Sequence, residues 1–226
     1  MLMVMAISHG LISLNTTDTS GGGQKITDAV GNFSASYSWI YPYDSNSVWT
    51  INVTIPEPLF AEYKNQARTT DYSSYVTAND EVVDRIAQEL KNDSVTSGYD
   101  TAQFVLSFVQ NIPYGTDENT TNDVDYPRYP VETLVDDVGD CKDHSTLFAS
   151  LLKAPVIDDS VVLLELLPTQ GAVGHMAVGV EGTEYSGSYV RYDGGNYFYS
   201  ETTSNGWLIG EMPSDLSSYS IHVLPT

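Results

Sequence analysis

GDCKDHSTLFASLLKA, residues 139–154, divides the chain into two parts of different kinds. Within it Leu147, Phe148, Leu151 and Leu152 recur at helical spacing and make one apolar stripe, which predicts a helix with that face inward. Upstream the pattern is mostly helical. NDEVVDRIAQEL (79–90) puts Val82, Val83, Ile86 and Leu90 on one face behind Asp80 and Glu81. YDTAQFVLSFVQ (99–110) groups Ala102, Val105, Leu106 and Val109, with Asp100 as cap and Pro113 as terminator. Downstream of Pro155 the pattern changes to strands: SVVLLELL, GHMAVGV, GNYFYSETT, GWLIGEM and YSIHVL, joined by glycine-bearing connections. Helices followed by an antiparallel sheet is an α+β layout.

Further out, FSASYSWIY (33–41) and VWTINVTI (48–55) alternate as half-buried strands, the second with Trp49, Ile51, Val53 and Ile55 on one face and closed by Pro56 and Pro58. Residues 113–140 show neither period. They carry eight acids against Arg128, and Tyr114, Tyr126, Tyr129 and Pro130 act as anchors, so a long ordered loop is expected. The first thirty residues, with GGGQ at 21–24, read as a flexible or truncated N-terminal segment. MLMVMAISHGLISL at its start lacks the basic flank of a secretory signal. Residues 31–226 are read as a single domain.

The 226 residues include 41% apolar and 11% aromatic side chains, enough to bury a core, yet thirty acids face nine bases for a net charge of −21. So few lysines and arginines exclude a nucleic-acid binder and argue against docking on anionic lipid. A surface this acidic suits concentrated salt, where the screening length falls to roughly 3 Å, so a halophilic source is expected. No apolar run approaches the roughly twenty residues of a membrane span. Sequons at Asn15, Asn32, Asn52, Asn92 and Asn119 point to a glycosylated protein outside the cell or on its surface.

A single cysteine, Cys141, excludes an internal disulfide framework. Placed in the first turn of the helix that GDC opens, its sulfur lies near unpaired N–H groups and the positive end of the helix dipole, and off the apolar stripe. A thiolate nucleophile needs an imidazole. Of the four histidines, His9 is in the terminal segment, His144 reads as a solvated helix residue, and His222 as a sheet-face residue. His175 opens a strand whose Ala177 and Gly179 leave room beside it. Glu201, closing NYFYSETT, is the acid expected to orient His175 from an antiparallel neighbour, through Nδ1, with Nε2 toward sulfur. Asp193 competes from a D-G-G turn.

GDCKDHSTLFASLLKA, then GHMAVGV, then YFYSETT, preceded by IPY and YPRYPVETL, resembles the transglutaminase-like superfamily of cysteine enzymes, archaeal type, over about residues 80–213. The resemblance implies a papain-like core with N-terminal helices packed on an antiparallel sheet. It also implies Cys141 as nucleophile, His175 as base and Glu201 as the acid, with a protein or peptide substrate. The activity implied is acyl transfer at an amide through a thioester, giving hydrolysis or crosslinking. Three departures bear on substrate preference: Glu as the acid, Lys142 after the cysteine, and Met176 after the histidine. No cofactor or metal is expected, since no calcium-loop spacing occurs. The opposing reading is a catalytically silent module serving in self-assembly, adhesion or a surface layer. Sequons and the Ser/Thr/Tyr-rich composition suit it equally.

Overall fold

The computed structural model describes residues 26–27, 31–168 and 173–226. Strands β1 (Ile26–Thr27), β2 (Asn32–Tyr41) and β3 (Asp44–Pro56) form an antiparallel sheet in that order, with Trp39 opposite Trp49 and an irregularity at Ile40/Tyr41. Alternation turns Tyr37, Trp39, Tyr41, Ile51, Val53 and Ile55 into the main core and leaves Ile40 and Val48 exposed. Helices α1 (Glu57–Lys64), α2 (Glu81–Ser97) and α3 (Thr101–Val109) follow, then the short α4 (Asp117–Thr120) and α5 (Pro130–Asp136), and α6 (Cys141–Lys153). Strands β4 (Val161–Leu167), β5 (His175–Glu181), β6 (Tyr189–Tyr192), β7 (Gly195–Ser200) and β8 (Ser220–Pro225) complete an antiparallel sheet ordered β6-β7-β5-β4-β8.

The caps read from sequence are in place. Asp80 accepts from the N–H of Val82 at 2.8 Å, and Asp100 from that of Gln103 at 2.7 Å. α2 stops at Gly98, whose φ of 73° is the left-handed conformation glycine adopts without strain. α3 buries every side chain from Ala102 to Val109, because β2 covers one side and α2 and α6 the other. Phe104 and Phe108 lie 5.5 and 5.4 Å from the Trp39 ring, whose indole N–H donates to Ser107. Removing Trp39 from this junction should cost about 3–5 kcal/mol. One face of the five-stranded sheet receives α6. The other carries Val162, Leu164, Leu166, Ala177, Tyr197 and Tyr199, covered by Met212, Leu216 and Tyr219 of the returning chain.

Three expectations are corrected. The 113–140 segment is not one loop: Pro130 starts α5, where its missing N–H costs nothing, and Glu132 accepts from the N–H of Tyr129 at 3.0 Å. α3 ends at Val109, ahead of Pro113. GWLIGEM is no strand. Gly206 and Gly210 take φ of 91° and 96°, and the Ile209 N–H leaves the sheet to donate to Gln103 at 2.8 Å. Of the sequons, Asn32 lies in β2, Asn52 in β3, Asn92 in α2 and Asn119 in α4. Asn15 and His9 lie outside the described residues, as does most of the segment expected at 1–30. Among the described residues no helix is long and apolar enough to cross a membrane.

Candidate active site

Cys141 is the first residue of α6 and is half-buried. Its helix is capped by Asp140, which accepts from the N–H groups of Lys142 (2.8 Å) and Asp143 (3.3 Å), while Asp143 accepts in return from the Asp140 N–H at 3.1 Å. Gly139 is required here, because a Cβ would stand 2.7 Å from the Asp143 Cβ. The Gly139 carbonyl accepts from the Gly115 N–H at 2.9 Å and its own N–H donates to Pro113 at 3.2 Å, which ties Tyr114 beside the approach to the cysteine.

Two cations hold the acidic segment around that helix start. Arg128, 1% exposed, reaches Asp143 at 2.8 Å, Asp117 at 3.1 Å and Asp136 at 3.3 Å. The Lys142 ammonium sits among Asp140 (2.5 Å), Asp117 (3.0 Å) and Asp125 (3.1 Å). Burial works against the Lys142 charge, but these carboxylates more than compensate and raise its pKa well above the ordinary lysine value. The eight acids noted in the sequence are thus partly neutralised from within. Among the described residues no group of three or more His, Cys, Asp or Glu side chains is arranged to hold a metal.

Opposite lie His175, at the start of β5, and Glu201, just past the end of β7, its antiparallel neighbour. His175 Nε2 is 3.0 Å from Glu201 Oε2. Three further donors fix the carboxylate: Tyr199 Oη at 2.7 Å, Thr203 Oγ1 at 2.7 Å and the Thr203 N–H at 3.0 Å. Burial pushes the Glu201 pKa up, but His175, Thr203 and Tyr199 hold it down to about 2. For His175, burial disfavours the charged ring, yet the neighbouring Cys141 and the Glu201 carboxylate raise its pKa to about 10. The ring orientation reverses the sequence expectation. Nε2 meets the acid, so Nδ1 is the nitrogen left for the sulfur.

Asp193 sits at φ 45° in the turn at the opposite end of β7, remote from His175. His222 pairs with Glu165 at 3.2 Å on the exposed sheet face. His144 overturns its reading as solvated. It is fully buried, and its Nδ1 lies 3.1 Å from the Thr202 carbonyl. Burial lowers its pKa, which the Thr202 carbonyl only partly offsets. The contact binds α6 to the residue after Glu201, as does Ser145 with Thr202 at 3.2 Å. The clamp residues Tyr199 and Thr203 were also missed. Tyr199 is two residues before Glu201 on an alternating strand, so it shares its face, and that was the available signal.

A cleft of about 400 Å³ opens over Cys141 and His175, lined also by Tyr114, Glu118, Val124, Glu165, Leu167 and Val173. The family described as transglutaminase-like domain matches residues 81–208, more than half of the chain and all three of these polar positions. The protein belongs to the transglutaminase-like domain family. Its α+β arrangement of helices on a curled antiparallel sheet is the papain-like transglutaminase core expected from sequence. Among solved structures, this transglutaminase-like chain is similar to Legionella pneumophila LapG (EGTA-treated). Identity is 18% and the TM-score 0.42, over 75% of this chain and 84% of that one. A further Legionella pneumophila LapG structure shows 18% identity and a TM-score of 0.37, over 73% and 80% of the two chains. No curated protein matches.

Proposed function

We propose that this transglutaminase-like domain is a cysteine enzyme that transfers the acyl group of a peptide amide to water through a thioester on Cys141. The observation that carries this reading is the 3.0 Å contact of buried Glu201 with His175, which lines the same cleft as Cys141. The Cys141 sulfur attacks the amide carbonyl, and the Cys141 N–H, which the Asp140 carboxylate does not engage, faces the developing oxyanion. His175 protonates the leaving amine as the C–N bond breaks. Neutral His175 then takes a proton from water, the resulting hydroxide attacks the thioester, and the sulfur leaves as thiolate. Glu201 keeps the ring in register and stabilises the imidazolium. Water is the acceptor of choice because the cleft walls are open, with Val124 and Val173 almost fully exposed. A catalytically silent module gains nothing from a buried carboxylate clamped by three donors against an imidazole. An extracellular or cell-surface setting belongs to the proposal and is supported by the exposed side chains of Asn52, Asn92 and Asn119.

The test is alkylation by iodoacetamide near neutral pH, in salt that keeps the protein folded. Cys141 should react faster than a free model thiol, and His175→Ala should abolish the advantage. A wild-type rate at or below the model thiol's overturns the proposal.

A further inference from the structure

We infer that the cleft selects acyl donors with aliphatic side chains beside the reactive carbonyl and rejects carboxylates there. This rests on the acyl-transfer reading of the same cleft. Nine large hydrophobic side chains are exposed among the described residues, and four of them line this one cleft. Exposed apolar groups scattered singly need no explanation, whereas several around one concave site mark a binding surface. They also stand on two sides. Tyr114 (54% exposed) and Val124 (87%) belong to the segment leading into α6. Leu167 (44%) ends β4, and Val173 (88%) comes two residues before His175. A peptide lying across Cys141 and His175 therefore passes between two apolar rims, each able to cover an aliphatic side chain.

Charge sets the second half of the preference. Glu118 and Glu165 line the same cleft. The Lys142 ammonium there is already engaged by three carboxylates, and Glu165 has only the exposed His222 as partner. A substrate carboxylate entering the cleft meets like charge, and the two cations among its described lining residues, Lys142 and His175, are already paired with carboxylates, which is repulsion used for specificity. An aliphatic or basic residue meets none.

The probes are acetyl-Val-Val, acetyl-Gly-Gly and acetyl-Asp-Asp chloromethyl ketones, with labelling of Cys141 followed by mass spectrometry. The chain has one cysteine, so the site of modification is unambiguous. Each rate is divided by the iodoacetamide rate of the same preparation. The Val-Val reagent should label at least about 10-fold faster than Gly-Gly, the selectivity one apolar contact commonly supplies, and Asp-Asp slower than both. Val124→Ser with Val173→Ser, both at exposed positions, should erase the Val-Val advantage, each rate again being divided by the variant's own iodoacetamide rate. Equal rates for the three reagents, fastest labelling by Asp-Asp, or an advantage that survives the double substitution overturns the inference while leaving the acyl-transfer reading intact. A sulfur inert to iodoacetamide defeats that reading, and this inference falls with it.

Discussion

Replacing Glu201 by glutamine should move the titration of His175 down from about 10 to about 8. Raising the imidazole from its ordinary 6.5 to about 10 corresponds to about 5 kcal/mol in favour of the charged ring. Seen from the carboxylate, the descent from 4.5 to about 2 corresponds to only about 3 kcal/mol, and Thr203 and Tyr199 contribute to it. The two figures differ because His175 also faces Cys141. Burial opposes both shifts, and Thr203 and Tyr199 share the smaller one, so the Glu201 charge is worth on the order of 2–3 kcal/mol, close to two pH units. The His175 side chain is 17% exposed, so solvent screening takes little from this. With only four histidines in the chain, long-range proton–nitrogen NMR resolves each ring through a pH series. Cys141→Ala should lower the same titration, since it removes the other partner. A wild-type His175 titrating near 6.5, or one unmoved by Glu201→Gln, would refute the reasoning.

Stability should fall at both ends of the pH range, by opposite mechanisms. Glu201, depressed from 4.5 to about 2, adds stability that is present above pH 4.5 and lost as pH falls toward 2. His175, raised from 6.5 to about 10, adds stability that is full below 6.5 and lost as pH rises toward 10. His144, held below 6.5 by burial, destabilises the fold as pH drops under 6.5, so His144→Gln should flatten that part of a urea-unfolding profile. Arg128→Met leaves Asp143 buried without its cation and Asp117 with Lys142 alone, and should cost about 3–5 kcal/mol in chemical denaturation; a loss under 1 kcal/mol would contradict the network's role. Lowering salt from molar to about 0.1 M lengthens screening from roughly 3 to 10 Å, and a net charge of −21 should then lower the melting temperature; no change would remove the halophile expectation.

What could be read in the sequence was whatever rests on local chemistry. The stripe of Leu147, Phe148, Leu151 and Leu152, the Asp80 and Asp100 caps, and the placement of Cys141 at a helix start are periodicities and spacings, and the structure has them. The meeting of His175 with Glu201 was reachable because two alternating strands running antiparallel bring the start of one near the end of the other. The orientation of the ring was not, since it depends on the direction from which the neighbouring strand delivers the carboxylate. His144 was misread although 144, 147, 148 and 151 form one helical face; polarity was weighed above position. α5 is hidden by Pro130, which reads in the sequence as an anchor of an ordered loop and serves in the structure as a helix start. GWLIGEM reads as a strand from its apolar run, but Gly206 and Gly210 take positive φ and the Ile209 N–H bonds to Gln103 of α3, a long-range bond no local pattern records.

The hairpin of β2 and β3 and the strand β8 lie outside residues 81–208, the segment that matches the family. Yet Trp39 and Tyr37 pack on Phe104 and Phe108, Tyr37 Oη donates to the Leu134 carbonyl at 2.5 Å, and β8 covers the edge of β4. The unit of inheritance and the unit of folding therefore have different limits. A fragment cut at the ends of the match would carry every proposed reactive group and lack a wall of its core. It would present the ring faces of α3 and an open β4 edge to other molecules, and should be recovered as aggregate. A protease that nicks the chain between Pro56 and Asp80 would test the same division in the intact protein. If the two pieces stay associated and Cys141 keeps its reactivity, the hairpin is held by packing and not by the connecting chain.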